Sequence, residues 1–133
     1  MKATDLTVGC YVMVHPSNMV IKVAAVYRSQ VGYMADGKIV WVLENLLRPI
    51  PLNKVHLVKN GFEPVDEDDD CFIFKDGYEL EVSFDNGNPN YGVEPSIGLS
   101  IDFAEKDMYM EVKYLHTLQQ ALKLFEVDKE IVI

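Results

Sequence analysis

Cys71-Phe72-Ile73-Phe74-Lys75-Asp76-Gly77-Tyr78-Glu79-Leu80-Glu81-Val82-Ser83-Phe84 decides the fold class. Asp-Gly between two apolar runs signals a hairpin, because both residues tolerate positive φ. Tyr78, Leu80, Val82 and Phe84 share one face of the returning strand, while Glu79, Glu81 and Ser83 share the other. A strand of this kind is buried on one side and wet on the other, as antiparallel strands are.

Downstream, Asp85 to Pro95 is a loop of Asn, Gly and Pro, and Ile97, Leu99, Ile101 and Phe103 then repeat the alternation. Met108, Met110 and Val112 give a shorter strand. Leu115, Leu118, Leu122 and Phe125 recur at helical spacing. That helix needs an apolar surface, and the faces of Tyr78/Leu80/Val82/Phe84 and Ile97/Leu99/Ile101 are expected to supply it. The tail, Lys129-Glu130-Ile131-Val132-Ile133, reads as a last strand. Upstream, Asn53 caps a short helix, Lys54 to Lys59, which ends at Asn60-Gly61.

The first fifty residues read as short strands. Leu6 to Val14 turns at Gly9, His15-Pro16-Ser17-Asn18 is a loop, and Val20 to Tyr27 and Lys38 to Leu43 are rich in β-branched residues. A second Asp-Gly, Asp36-Gly37, joins Val31-Gly32-Tyr33-Met34 to Lys38-Ile39. So many short strands are expected to curl into a small barrel, which removes exposed edges. Glu44 to Leu47 is then a helical turn leading out. The expected fold is α+β: an SH3-like small β-barrel over 1–52, then an antiparallel sheet packed with one or two helices over 53–133, both parts packed as one unit.

Charge divides at Pro49-Ile50-Pro51-Leu52. Residues 1–60 carry seven Lys/Arg against three acids, +4, and residues 61–133 carry five Lys against eighteen acids, −13, within a total of −9. With 49% hydrophobic and 25% charged residues the chain is globular rather than disordered. A pI near 4.7 argues against a phosphate-backbone binder for the whole chain. No stretch reaches the roughly 18 apolar residues of a membrane span. Met1-Lys2-Ala3-Thr4-Asp5-Leu6 lacks the apolar core of a signal peptide, and the chain reads as cytoplasmic.

Catalytic and metal motifs are not found, and no cofactor is implied. His15, His56 and His116 share no ligand spacing with each other or with Cys10 and Cys71, which read as reduced and buried. Asp66-Glu67-Asp68-Asp69-Asp70 has Cys71 and Gly77 where a calcium loop needs its Gly and its final Glu, so it reads as a solvated acidic loop. Gly87 to Gly92 has no basic residue or following helix to hold phosphate. The binding candidates are aromatic. Tyr11, Tyr27, Tyr33 and Trp41 sit on the barrel strands and can form a stacking or peptide platform beside Arg28 and Lys22. Trp41 alternates with Ile39 and Leu43, a pattern that predicts a core position.

Three blocks carry a resemblance: Lys2-Ala3-Thr4-Asp5-Leu6 with Gly9 and Val12, Pro49-Ile50-Pro51-Leu52 with Gly61-Phe62, and Tyr114-Leu115-His116-Thr117-Leu118-Gln119. Their order resembles a group of small uncharacterised proteins of gut Bacteroidetes and their phages or mobile elements. Members often continue with Thr-Glu after Pro-Ile-Pro-Leu and with Asn and an aromatic after the last Gln; here Asn53-Lys54 and Gln120-Ala121 stand there. The resemblance implies a phage or mobile-element origin and no mechanism. It adds Tyr114, His116 and Gln119 to the binding candidates. His116 and Gln119, three apart on a helix, can bond to each other. The functional expectation is a non-enzymatic interaction module whose acidic half suits a protein with a basic surface. The alternatives are nucleic-acid association through the barrel, an acidic DNA mimic, or an enzyme of unrecognised type.

Overall fold

Two three-stranded antiparallel sheets account for half of the first fifty residues. β1 (Tyr11–Val14) lies between β2 (Met19–Lys22) and β6 (Leu47–Arg48). β4 (Gln30–Ala35) lies between β3 (Ala25–Tyr27) and β5 (Lys38–Leu43). The pairings define two sheets and not one closed barrel. The computed structural model describes residues 1–65, 68–103 and 106–133. The Asp36-Gly37 hairpin forms as expected, with both residues at positive φ, and Glu44–Leu46 is a 3₁₀ turn. Alternate residues of the strands face inward, so Val12, Ile21, Val23, Val31, Val42 and Leu47 bury together with Ala3, Leu6 and Cys10.

Past Pro51 the chain caps α1 (Lys54–Lys59) through a reciprocal pair. The Asn53 side chain accepts from the His56 amide, and His56 Nδ1 accepts from the Asn53 amide. β7 (Glu63–Val65), β8 (Asp68–Lys75), β9 (Glu79–Asp85), β10 (Ser96–Phe103) and β11 (Lys106–Glu111) then form one antiparallel sheet in the order β11-β10-β9-β8-β7. The deciding hairpin forms with Asp76-Gly77-Tyr78 as its loop. Its register sets Phe72 opposite Val82 and Phe74 opposite Leu80; across β10, Leu99 faces Val82 and Ile101 faces Leu80. This is the apolar face the alternation predicts. Leu80, Val82, Leu99 and Ile101 are fully buried, and Phe62 packs its ring 5.6 Å from Phe74.

The chain divides into two compact units. Met1–Pro51 and Tyr114–Lys129 make the first; Leu52–Lys113 and Glu130–Ile133 make the second. The architecture is α+β, with antiparallel sheets and, among the described residues, two α-helices. Neither helix is long and apolar enough to cross a membrane.

Four expectations change. The helix periodicity holds, as α2 (Leu115–Leu124), but α2 groups with the first unit rather than with the five-stranded sheet's unit. Its Gln119 and Lys123 bond to Gly9, Tyr11 and Val8, which ties it beside β1. The tail forms no strand. Instead the buried Asn60 amide grips it: Nδ2 donates to the Val132 carbonyl at 2.8 Å, and Oδ1 accepts from the Val132 amide at 2.8 Å. Asp68–Asp70 open β8 and are not a loop, while Asp66 and Glu67 lie outside the described residues. Trp41 is not core: it is 46% exposed, and Ile39 and Leu43 share its side of β5, while Val42 is buried. Lys38–Leu43 is apolar on both faces, so alternation alone could not choose between them.

Candidate functional site

The outer face of β3-β4-β5 is built by register. Gly32 stands opposite Trp41, Met34 opposite Ile39, Gln30 opposite Leu43 and Tyr27 opposite Gln30. A Cβ on Gly32 would lie 2.7 Å from Ile39 Cγ2 and 3.3 Å from Trp41 Cζ3, so these side chains lie over a glycine hollow. Tyr27 meets Trp41 edge to face at 6.4 Å, and the Arg28 guanidinium sits 5.3 Å from the Tyr27 ring centre. Tyr27, Met34, Ile39, Trp41 and Leu43 are all exposed, which gives a contiguous apolar patch. Scattered exposed side chains need no explanation, but a patch does.

The other sequence candidates separate from this face. Tyr33 pairs with Val40 and packs toward the core of the first unit. Tyr11 is half-buried on β1, with Lys22 Nζ 5.8 Å from its ring centre. Tyr114 precedes α2 and stacks on His116 at 5.7 Å with planes 7° apart. The Gln119 amide accepts from the Tyr11 N–H at 3.0 Å and donates to the Gly9 carbonyl at 3.1 Å. This arrangement fastens the helix to the β1 entry, where the amide does what a strand neighbour would do.

His116 is only 9% exposed, and its Nδ1 has no hydrogen-bond partner among the described residues. Burial pushes its pKa below the ordinary 6.5, and the Asp5 carboxylate opposes the change. Burial also lowers His56, aided by Lys59. For a lowered histidine the unfolded chain binds the proton more readily, so stability is full above about pH 6.5 and falls as acid protonates the unfolded state. Denaturant midpoints at pH 7.5 and 5.5 should therefore separate in the wild type and draw closer in His116→Phe. Equal pH dependence in the two proteins would remove His116 from the account.

The second sheet turns a different face outward. Lys75, Glu79, Asp102 and Asp107 form one row across four strands, each opposite the next. Ile73, Glu81, Ser100 and Tyr109 form the next row, and Cys71, Ser83, Gly98 and Glu111 the third. Cys71 Sγ and Ser83 Oγ both donate to Glu81 Oε1, at 3.1 and 3.3 Å. Tyr109 lies across Gly98, where an added Cβ would come within 2.5 Å of its hydroxyl. Glu79, Glu81, Asp102, Asp107, Met108 and Tyr109 help line a shallow groove of about 320 Å³. Among the described residues no three His, Cys, Asp or Glu converge as a metal site.

Sequence reasoning placed the acids on this face but missed Tyr109, whose signal was the glycine inside β10. The first unit carries seven Lys/Arg against five acids, +2, and the second five Lys against sixteen acids, −11. No protein-family profile, curated protein or solved structure matches the chain.

Proposed function

We propose that the chain is a non-enzymatic interaction protein whose second unit offers its outer sheet face to a basic surface of another protein. The observation that carries this reading is the row Glu79, Asp102 and Asp107. Like charges directly opposite on neighbouring strands destabilise a sheet, so the row costs the fold and offers a cationic partner a preformed field. Tyr109 and Met108 give that partner an apolar footing beside the charge. Association of this kind is fast at low salt and weakens as salt rises. The test is capture from native lysate on immobilised wild type and on Asp102→Asn/Asp107→Asn. The expected result is a basic protein held by wild type, lost from the double variant and released by salt. If nothing is retained at low salt, or the double variant retains it equally, the reading fails.

We infer that the first unit is an SH3-like barrel left open between its two sheets, of phage or mobile-element origin. Three features support the fold reading: β1 pairs with β6, first strand with last; Val23-Ala24 separates β2 from β3 where the chain passes between sheets; and a 3₁₀ turn precedes β6. One observation favours a second functional reading, nucleic-acid association. Tyr27, Trp41 and Arg28 expose a stacking group on the +2 unit. Filter binding of single-stranded DNA by the full chain at low ionic strength tests it, and no retention ends it.

A further inference from the structure

β5 is an edge strand: β4 pairs with one side of it, and no strand among the described residues pairs with the other. Its hairpin determines what that open side presents. Asp36 and Gly37 both have positive φ, the mark of a two-residue loop closed by a hydrogen-bonded pair, Ala35 and Lys38. Antiparallel pairs alternate, so Tyr33/Val40 and Val31/Val42 are bonded pairs, and Met34/Ile39, Gly32/Trp41 and Gln30/Leu43 are not. The N–H and C=O groups of Ile39 and Trp41 therefore point away from β4, along the open side. The Trp41 ring does not block them, because it leans inward over Gly32.

Folds protect such edges with shortness, charge, proline or bulges. The other edges here follow that rule. β3 and β6 have three and two residues, and β2 has four and ends on Lys22. β7 holds Pro64 and a register shift, and β11 carries Lys106, Asp107 and Glu111. β5 runs six residues with no proline and no register break, and Ile39, Val40, Trp41 and Leu43 are exposed.

Lys38-Ile39-Val40-Trp41-Val42-Leu43-Glu44 is self-complementary when read antiparallel about Trp41. Lys38 meets the partner's Glu44, Ile39 meets the partner's Leu43, Val40 meets the partner's Val42, and Trp41 meets its own copy. Glu44 Oε2 accepts from the Ala3 amide at 2.8 Å, and Oε1 can still accept from the partner's Lys38. We propose that two copies of this chain pair β5 to β5 about a two-fold axis at Trp41, joining their three-stranded sheets into one of six. The interface is isologous, so it closes at two. The complementary ends, with a cation at one and an acid at the other, favour a second copy over an unrelated peptide. The dimer is independent of the acidic face and stands or falls separately from it.

Light scattering over a dilution series tests this on the full chain. The expected mass is twice 15.1 kDa, falling to one chain on dilution. Ile39→Pro removes an N–H that faces outward while sparing the ladder to β4, so it should weaken the dimer by about tenfold or more with the sheet intact by circular dichroism. Ile39→Lys should do the same by adding charge at the seam, and it serves if the proline variant unfolds. Opposed bonded residues sit about 5.5 Å apart at Cα, within disulfide reach. In a Cys71→Ser background, Trp41→Cys should therefore cross-link under oxidation and Val40→Cys should not. A monomer at every concentration overturns the proposal, as does a dimer unchanged by both Ile39 variants or a cross-link at 40 in place of 41.

Discussion

Asn60→Ala should lower the stability of the second unit by about 2–4 kcal/mol, because three hydrogen bonds of a buried side chain are lost together. The Asn60 amide donates to the His56 carbonyl at 2.7 Å as well as clasping both backbone groups of Val132. Alanine leaves those groups unpaired near a buried Ile131. Urea unfolding measures the loss, and hydrogen exchange at the Val132 amide reads the clasp directly. Asn60→Asp tests the same geometry more sharply, since it keeps the acceptor but removes the donor and buries a charge. A midpoint shift worth less than about 0.5 kcal/mol for Asn60→Ala would show that the clasp contributes nothing.

Leu99→Ala should cost about 2–5 kcal/mol, the range for emptying a fully buried leucine site. Leu99 sits in the middle of β10, opposite Val82 on one side and Met110 on the other, so neighbouring side chains are held by two ladders and cannot collapse into the space. Ser100→Ala, one residue along on the wet face, should stay within about 0.5 kcal/mol of wild type. The pair tests the one-sided sheet itself. Equal effects would mean that the two faces are not buried differently.

Where apolar and polar residues strictly alternate, the reading survived into the structure. Tyr78 to Phe84 and Ile97 to Ile101 could be assigned to faces because one parity was apolar and the other was not. Lys38 to Leu43 was different: both parities are apolar, and only Gly32, opposite Trp41, shows which side is thin enough to take the indole on the outside. The face of α2 was legible, but its partner surface was not. Leu115, Leu118 and Leu122 state only that some apolar surface is needed, whereas the choice is made by Gln119 bonding to Gly9 and Tyr11, more than a hundred residues away. Asn60 next to Gly61 looked like the end of a helix, which it is. Its second role, as a substitute strand for Val132, depends on distance in space and leaves no local mark. The acids of the candidate surface were visible in the sequence, but their alignment into a row needed the register.

The order in which the two units are threaded bears on how the chain comes off the ribosome. The first unit is opened at Pro51 and resumed at Tyr114, where Pro51 and Tyr114 bridge and the Leu115 amide donates to the Ile50 carbonyl. The second is opened at Leu52 and finished by Glu130–Ile133. Each therefore waits for a segment translated after Lys113, α2 for one and the Val132 segment for the other. Vectorial synthesis usually lets an early domain fold before a later one exists. Here neither can be completed first, so a nascent chain stalled before Tyr114 should hold two unfinished cores, and the closing of both is packed into residues 114–133.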